Sequence, residues 1–256
     1  MPTSIKNKVF AFDLDGTIYT GNRLVEGAYE IVNYLRQRGA KVVFFTNSST
    51  RSVQQVYDKL KRMGLNPTLE DIHTSARAAA IYTSKKYISQ VHCIGTDGLK
   101  SELQSFGVRV TDAEYTAEAI VIGLDPDFSY AKLSEIMPYR ETRCLLIACN
   151  RDKSYPIENN IYLPGCGPIV AAVEEALGRN IDFITGKPNT FMLDILSHQL
   201  DCNNTDITVI GDSYESDIQM AMRYGVKSFL LSTTRDAKIT DSTIQISNII
   251  EIRDYL

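Results

Sequence analysis

Cysteine and histidine are scarce in this chain, and neither is spaced to hold a metal. The five cysteines, Cys93, Cys144, Cys149, Cys166 and Cys202, are odd in number and form no CxxC pair, and only three histidines accompany them. This argues against a disulfide framework or a zinc site and for a reducing compartment. No apolar run approaches the ~18 residues a bilayer span requires. The segment Met1–Lys8 carries no hydrophobic leader. The expected location is therefore cytoplasmic, with no membrane contact. Basic excess is missing too: 27 Lys+Arg stand against 31 Asp+Glu, a formal charge of −4. Counterion-driven binding to nucleic acid is not expected of such a surface. Internal repeats, low-complexity tracts and Pro/Gly-rich linkers are also absent.

What is present is the composition of an ordinary globular protein, 44% hydrophobic and 23% charged over 256 residues, enough chain for one to two domains. Short apolar runs alternate with segments of helical period, the pattern of a parallel α/β sheet. Val9–Phe12 and Val42–Phe45 read as buried strands. The spacing of Ala28, Ile31, Val32 and Leu35 predicts a helix over 27–38, stopped by Gly39. Val53, Val56, Tyr57, Leu60 and Met63 predict a second helix, ended by Gly64. The same grammar resumes with strands at 181–184, 207–210 and 229–231 and a helix carrying Phe191, Ile195 and Leu196. Between these blocks lie further strands at 91–94, 119–122 and 144–148, with helices near 99–106, 130–137 and 169–177. The middle stretch reads as a second compact α/β unit inserted into the first.

Four short motifs each follow a predicted strand, where ligands bind in parallel sheets. In Asp13-Leu14-Asp15-Gly16-Thr17, alternation along an extended backbone sends Asp13 and Asp15 to one side and Leu14 to the other. Two such carboxylates call for a cation or a shared proton; the plain alternative is an Asp-Gly turn. Thr46-Asn47-Ser48-Ser49-Thr50 supplies hydroxyls, an amide and helix-start N–H groups suited to an anion, or a simple N-cap. Lys187, in Gly186-Lys187-Pro188, is a point charge for phosphate or carboxylate, or a solvated surface lysine. Gly211-Asp212-Ser213 with Asp217 adds two acids, of which Asp217 could equally be a first-turn helix residue. Singly each has an ordinary explanation. Together they deliver acid, hydroxyl, lysine and acid to one sheet edge.

These motifs resemble those of the haloacid dehalogenase superfamily: the DxDGT loop at Asp13–Thr17, the second motif at Thr46-Asn47, the lysine at Lys187 and GDxxxxD at Gly211–Asp217. Ala148-Cys149-Asn150-Arg151-Asp152 and Pro164-Gly165-Cys166-Gly167 resemble the type IIA cap of the NagD-like, p-nitrophenylphosphatase-like branch. Ser216 stands where that branch often has Thr. The resemblance implies a Rossmann-like, doubly wound parallel-sheet core, residues 1–78 and 182–256, with a smaller inserted α/β cap, residues 79–181. It further implies a Mg²⁺-dependent phosphatase acting on small-molecule phosphomonoesters through an aspartyl-phosphate. Asp13 would be the nucleophile and Asp15 the general acid, then base. Mg²⁺ would be held by Asp13, Asp15 (through its backbone carbonyl) and Asp212. Thr46, Asn47, Ser48 and Lys187 would bind the phosphoryl group, and Asp217 would support Lys187 or the metal.

The charges make this inventory reasonable. A carboxylate approaching a phosphate dianion meets a repulsion of about 4 kcal/mol per unit pair at ~4 Å and an effective dielectric near 20, which a divalent cation and an ammonium offset. Asn150, Arg151 and Asp152 are candidate substrate contacts of the cap, Arg151 being able to pair with a second anionic group; a polar surface turn is the alternative. Cys166 reads as small packing between glycines, and His73, His92 and His198 as structural. A phosphomutase or phosphotransferase, and a phospho-ligand sensor that does not turn over, are the competing readings. A homodimer is left open, with no identifiable patch.

Overall fold

The computed structural model describes residues 5, 8–111, 116–156, 161–233 and 241–256. Most of the segment Met1–Lys8 lies outside them. The chain divides into two compact units, one of residues 1–46, 57–73 and 187–256, the other of residues 47–56 and 74–186.

The first unit is built on a six-stranded sheet in the order Thr243–Ile246, Lys227–Leu231, Ile207–Gly211, Val9–Asp13, Lys41–Thr46, Ile72–Thr74. Val9–Asp13 pairs in parallel with Ile207–Gly211 on one side and with Lys41–Thr46 on the other, Asp13 standing opposite Phe45. Every residue of this central strand is buried, which is why its sequence is apolar without alternation. The helix Ala28–Gln37 buries Ala28, Ile31, Val32 and Leu35, the i, i+3, i+4, i+7 stripe. Replacing Leu35 by Ala would cost about 2–5 kcal/mol, transfer plus cavity.

The second unit has a five-stranded sheet in the order Phe183–Ile184, Leu145–Ala148, Ala119–Ile122, Gln90–Ile94, Arg109–Val110, all neighbours parallel. Period-two alternation sorts its side chains into two cores. Ile120, Ile122, Leu146 and Ala148 pack with Val170, Val173 and Leu177 of the helix Cys166–Leu177. Ala119, Val121 and Ile147 face the other way, onto Ala76, Ala79 and Ala80 of the helix Ser75–Lys85 and Leu99 and Leu103 of the helix Asp97–Ser105. Both faces being covered, these strands too are continuously apolar.

Two features depart from the sequence reading. The strand read at 181–184 as part of the returning core is Phe183–Ile184, and it pairs with Leu145–Ala148 in the second unit's sheet. A two-residue apolar strand carries nothing that names its partner. The helix Ser75–Lys85 had no predicted counterpart, because alanines make its buried face and alanine is a weak apolar marker.

Candidate active site

Asp13 is the last residue of the central strand, and the chain turns sharply after it. Leu14 is fully buried, and its carbonyl accepts from Ile18 N and Tyr19 N, each at 3.0 Å, while Gly16 N donates to Tyr19 O at 2.8 Å. Gly16 takes φ +97°, and a Cβ there would lie 2.2 Å from Asp212 Oδ2. Only glycine lets this turn pass so close to the carboxylate that follows the neighbouring strand. Asp13 is buried and Asp15 exposed, with Tyr19 OH donating to Asp15 Oδ2 at 3.4 Å.

Asp212 follows Ile207–Gly211 and accepts from Thr17 Oγ1 at 3.3 Å. Asp217 sits in a π-helical turn, Tyr214–Ile218, and is buried. Its Oδ2 accepts from Ser213 N at 3.2 Å. A Cβ on Gly211 would fall 2.3 Å from Asp217 Cγ, so this carboxylate, like Asp212, leans on a glycine backbone. One oxygen each from Asp13, Asp212 and Asp217 lies within 4.8 Å of the other two. The Asp15 carboxylate is not in this group among the described residues.

Lys187 is buried and donates from Nζ to Asp13 Oδ1 at 2.5 Å and to Asp217 Oδ1 at 2.6 Å. It enters the first unit by a different route from the other motifs: the strand before it, Phe183–Ile184, belongs to the second unit's sheet. The expectation that all four motifs issue from strands of one sheet is thereby corrected for Lys187, the first residue of the chain's last return to the first unit. Thr46 ends Lys41–Thr46 and is buried.

The electrostatics follow from this crowding. Burial pushes the Asp13 carboxyl well above its ordinary range; Lys187 opposes that shift, and Asp217 and Asp212 add to it. The Asp212 carboxyl is pushed up to about 6, first by desolvation and then by the charge of Asp217, against Lys187 and the Thr17 hydrogen bond. Burial alone would lower Lys187, but Asp13 and Asp217 outweigh it and hold the ammonium above the usual lysine range. One ammonium thus offsets three acids, bonded directly to Asp13 and Asp217.

Asn47 and Ser48 begin the segment assigned to the second unit. The Asn47 amide donates to both Asp152 oxygens at 3.1 Å. Its carbonyl accepts from Ser75 Oγ and Asn150 Nδ2, both at 2.7 Å. Ser48 Oγ lies 3.4 Å from Thr50 Oγ1. Asn150 is buried in that role, and Arg151 is ion-paired with Glu174. The three cap candidates therefore have partners within their own unit. Cys166 is buried, its thiol pushed up to about 12 by burial. His73 packs against Phe45 and His92 lies near Tyr139, while His198 is exposed. Sequence reasoning missed Tyr19, whose only signal was its nearness to the Asp13–Thr17 motif, and gave no role to Ser213, whose N–H anchors Asp217.

A parallel α/β sheet with acids and a lysine gathered at the C-terminal end of its central strands defines a class of hydrolase fold. The family described as "Haloacid dehalogenase-like hydrolase" matches residues 10–109, and a second description of the same kind, HAD-hydrolase-like, matches residues 184–249. The chain is 34% identical over 227 residues to the acid sugar phosphatase of Staphylococcus haemolyticus, covering 88% of this chain and 85% of that one. The 4-nitrophenylphosphatase of Thermotoga maritima superposes with a TM-score of 0.90 at 25% identity, covering 98% of each chain. A glycerol phosphate phosphatase of Mycobacterium tuberculosis, solved in complex with magnesium, superposes with a TM-score of 0.83 at 28% identity, over 96% of this chain and 76% of that one. The chain belongs to the haloacid dehalogenase-like hydrolases. Within them it is an enzyme of the phosphatase branch that includes the NagD-like and p-nitrophenylphosphatase-like proteins, acting on phosphoric monoesters.

Proposed function

We propose that this phosphatase is Mg²⁺-dependent and hydrolyses small organic phosphomonoesters, sugar or glycerol phosphates among them, through a phosphoryl group carried on Asp13. The observation that supports it best is Lys187 joining Asp13 to Asp217 beside Asp212. The three carboxylates offer hard oxygen donors, and two glycines with no room for a side chain hold them close, a set that fits Mg²⁺. Asp13, the backbone carbonyl of Asp15, and Asp212 would hold the ion, with Asp217, both of whose oxygens already accept hydrogen bonds, as support. When bound, it neutralises charge on the transferring oxygens.

The chain's own residues do the rest. Asp13 attacks phosphorus: the Asp13 O–P bond forms as the ester P–O bond breaks, and Asp15 passes its proton to the departing oxygen. Water then attacks the phosphoryl group with Asp15 taking a proton back, which returns free Asp13 and inorganic phosphate. Splitting one displacement into two, with charge stabilised at each, carries most of such catalysis. Lys187 and Thr46 hold the phosphoryl oxygens, and Asn47 and Ser48, next in the chain, are assigned to them on that adjacency. We assign substrate selection to the second unit, as the cap.

Phosphate release over a panel of phosphomonoesters, with Mg²⁺ and with chelator, tests the reading. Activity lost on chelation and restored by Mg²⁺ is expected, as is a fall of at least about 10³-fold in Asp13→Asn with the thermal transition retained. Full activity in that variant would remove Asp13 as nucleophile.

A further inference from the structure

We infer that Tyr19 is a positioning residue for Asp15, and that Lys59 fixes Tyr19 for the task. The inference rests on Asp15 being the general acid, as argued above. An exposed carboxylate turns freely about its terminal torsion, whereas a general acid must present one chosen oxygen to the leaving group. Tyr19 supplies what would stop that rotation, since its hydroxyl donates to Asp15 Oδ2 at 3.4 Å. This leaves Oδ1 as the oxygen to carry the proton. The contact is a long hydrogen bond, of the kind that shortens in the substrate complex.

Tyr19 is itself held rigidly. It is buried, and its backbone pairs with Asp15 in an isolated bridge. Its N and O are taken by Leu14 O and Gly16 N. The Lys59 ammonium, also buried and within the same unit, stands 3.4 Å from the centre of the Tyr19 ring. A cation on a phenol face is bound by the ring quadrupole, and by drawing electron density from the ring it makes the hydroxyl a better donor. Tyr19 transfers no proton; it aims the group that does.

The leaving group separates this role from a structural one. A p-nitrophenolate departs without a proton, whereas an alkoxide needs one. For Tyr19→Phe, kcat/KM on the most active alkyl phosphate of the panel is expected to fall about 10-fold, and on p-nitrophenyl phosphate by no more than about threefold. Asp15→Asn, run in parallel, is expected to show the same bias more steeply, up to about 10²–10⁴ on the alkyl ester. A biased Asp15→Asn with an even or absent loss in Tyr19→Phe overturns the role of Tyr19 alone. An unbiased Asp15→Asn overturns the general-acid reading, and this inference with it. Should Tyr19→Phe fail to fold, Lys59→Met keeps the stem and removes the ammonium: a loss skewed to the alkyl ester supports the inference, and an even loss overturns it.

Discussion

The Lys187 ammonium lies 2.5 Å from Asp13 Oδ1, and both groups are buried. The residue proposed as the nucleophile is therefore charge-paired before any substrate arrives. The same nitrogen holds Asp217 at 2.6 Å. A single side chain keeps two interior acids compatible with folding and places a cation beside the proposed nucleophile.

Removing that cation should harm stability and activity together. Lys187→Met leaves Asp13 and Asp217 buried without their shared partner, a loss of about 3–5 kcal/mol for a broken interior pair. At this chain length that corresponds to roughly 6–20 °C in Tm. Phosphate release should fall by about 10²–10³-fold, as when one charge-stabilising donor is lost. Thermal denaturation and initial rates of the purified variant check both, and an unchanged Tm would contradict the pairing.

The Asp212 shift has a definite sign in stability. Its folded-state value of about 6 lies above the ordinary 3.8, so between these values the folded protein holds a proton that the unfolded chain has released. The associated stabilisation is complete below about pH 3.8 and is lost as pH rises through about 6. Asp13 is raised as well and acts in the same direction. In chelator, Tm should therefore drop between pH 4 and pH 6.5 relative to an Asp212→Asn variant. Added Mg²⁺ should stabilise strongly at pH 7 and weakly at pH 5, because protons compete for the same oxygens. Melting curves over this pH range, with and without the ion, measure the difference.

Gly16→Ala should separate strain from site geometry. The new Cβ would meet Asp212 Oδ2 at 2.2 Å on a backbone at φ +97°. Gly107, at φ +78° with nothing within 4 Å, is the matched control. Both alanines should cost about 1–3 kcal/mol of strain. Only the change at Gly16 should also weaken Mg²⁺ activation, by about 10–100-fold. Metal titration of activity in the two variants reads this directly.

Much of this was legible in the chain because its signals are local. Buried parallel strands announce themselves as short apolar runs, and Val9–Asp13, Lys41–Thr46 and Ala119–Ile122 lie within a residue of where the runs placed them. The carboxylates and the lysine were readable because each follows a strand and the residue types fit one chemistry. Pairing partners are not local, so Phe183–Ile184 could not be assigned to a sheet from its own residues. Nor could the sequence show that Asn150 and Arg151 are engaged by Asn47 and Glu174. Polar side chains in a loop look alike whether they face a ligand or a neighbour.

Residues 47–56 are tied to the rest of the second unit through Asn47, Ser49, Thr50 and Val53. Val53 N is capped by Glu102 at 2.6 Å, Thr50 O receives Thr96 Oγ1 at 2.8 Å, and Ser49 Oγ receives Leu124 N at 2.8 Å. Gly98 is packed so tightly that a Cβ would fall 2.4 Å from Thr50 O. Anyone grafting another relative's second unit onto this scaffold must transplant those ten residues along with 74–186. A splice that exchanged only the longer stretch would leave residues 47–56 among foreign anchors.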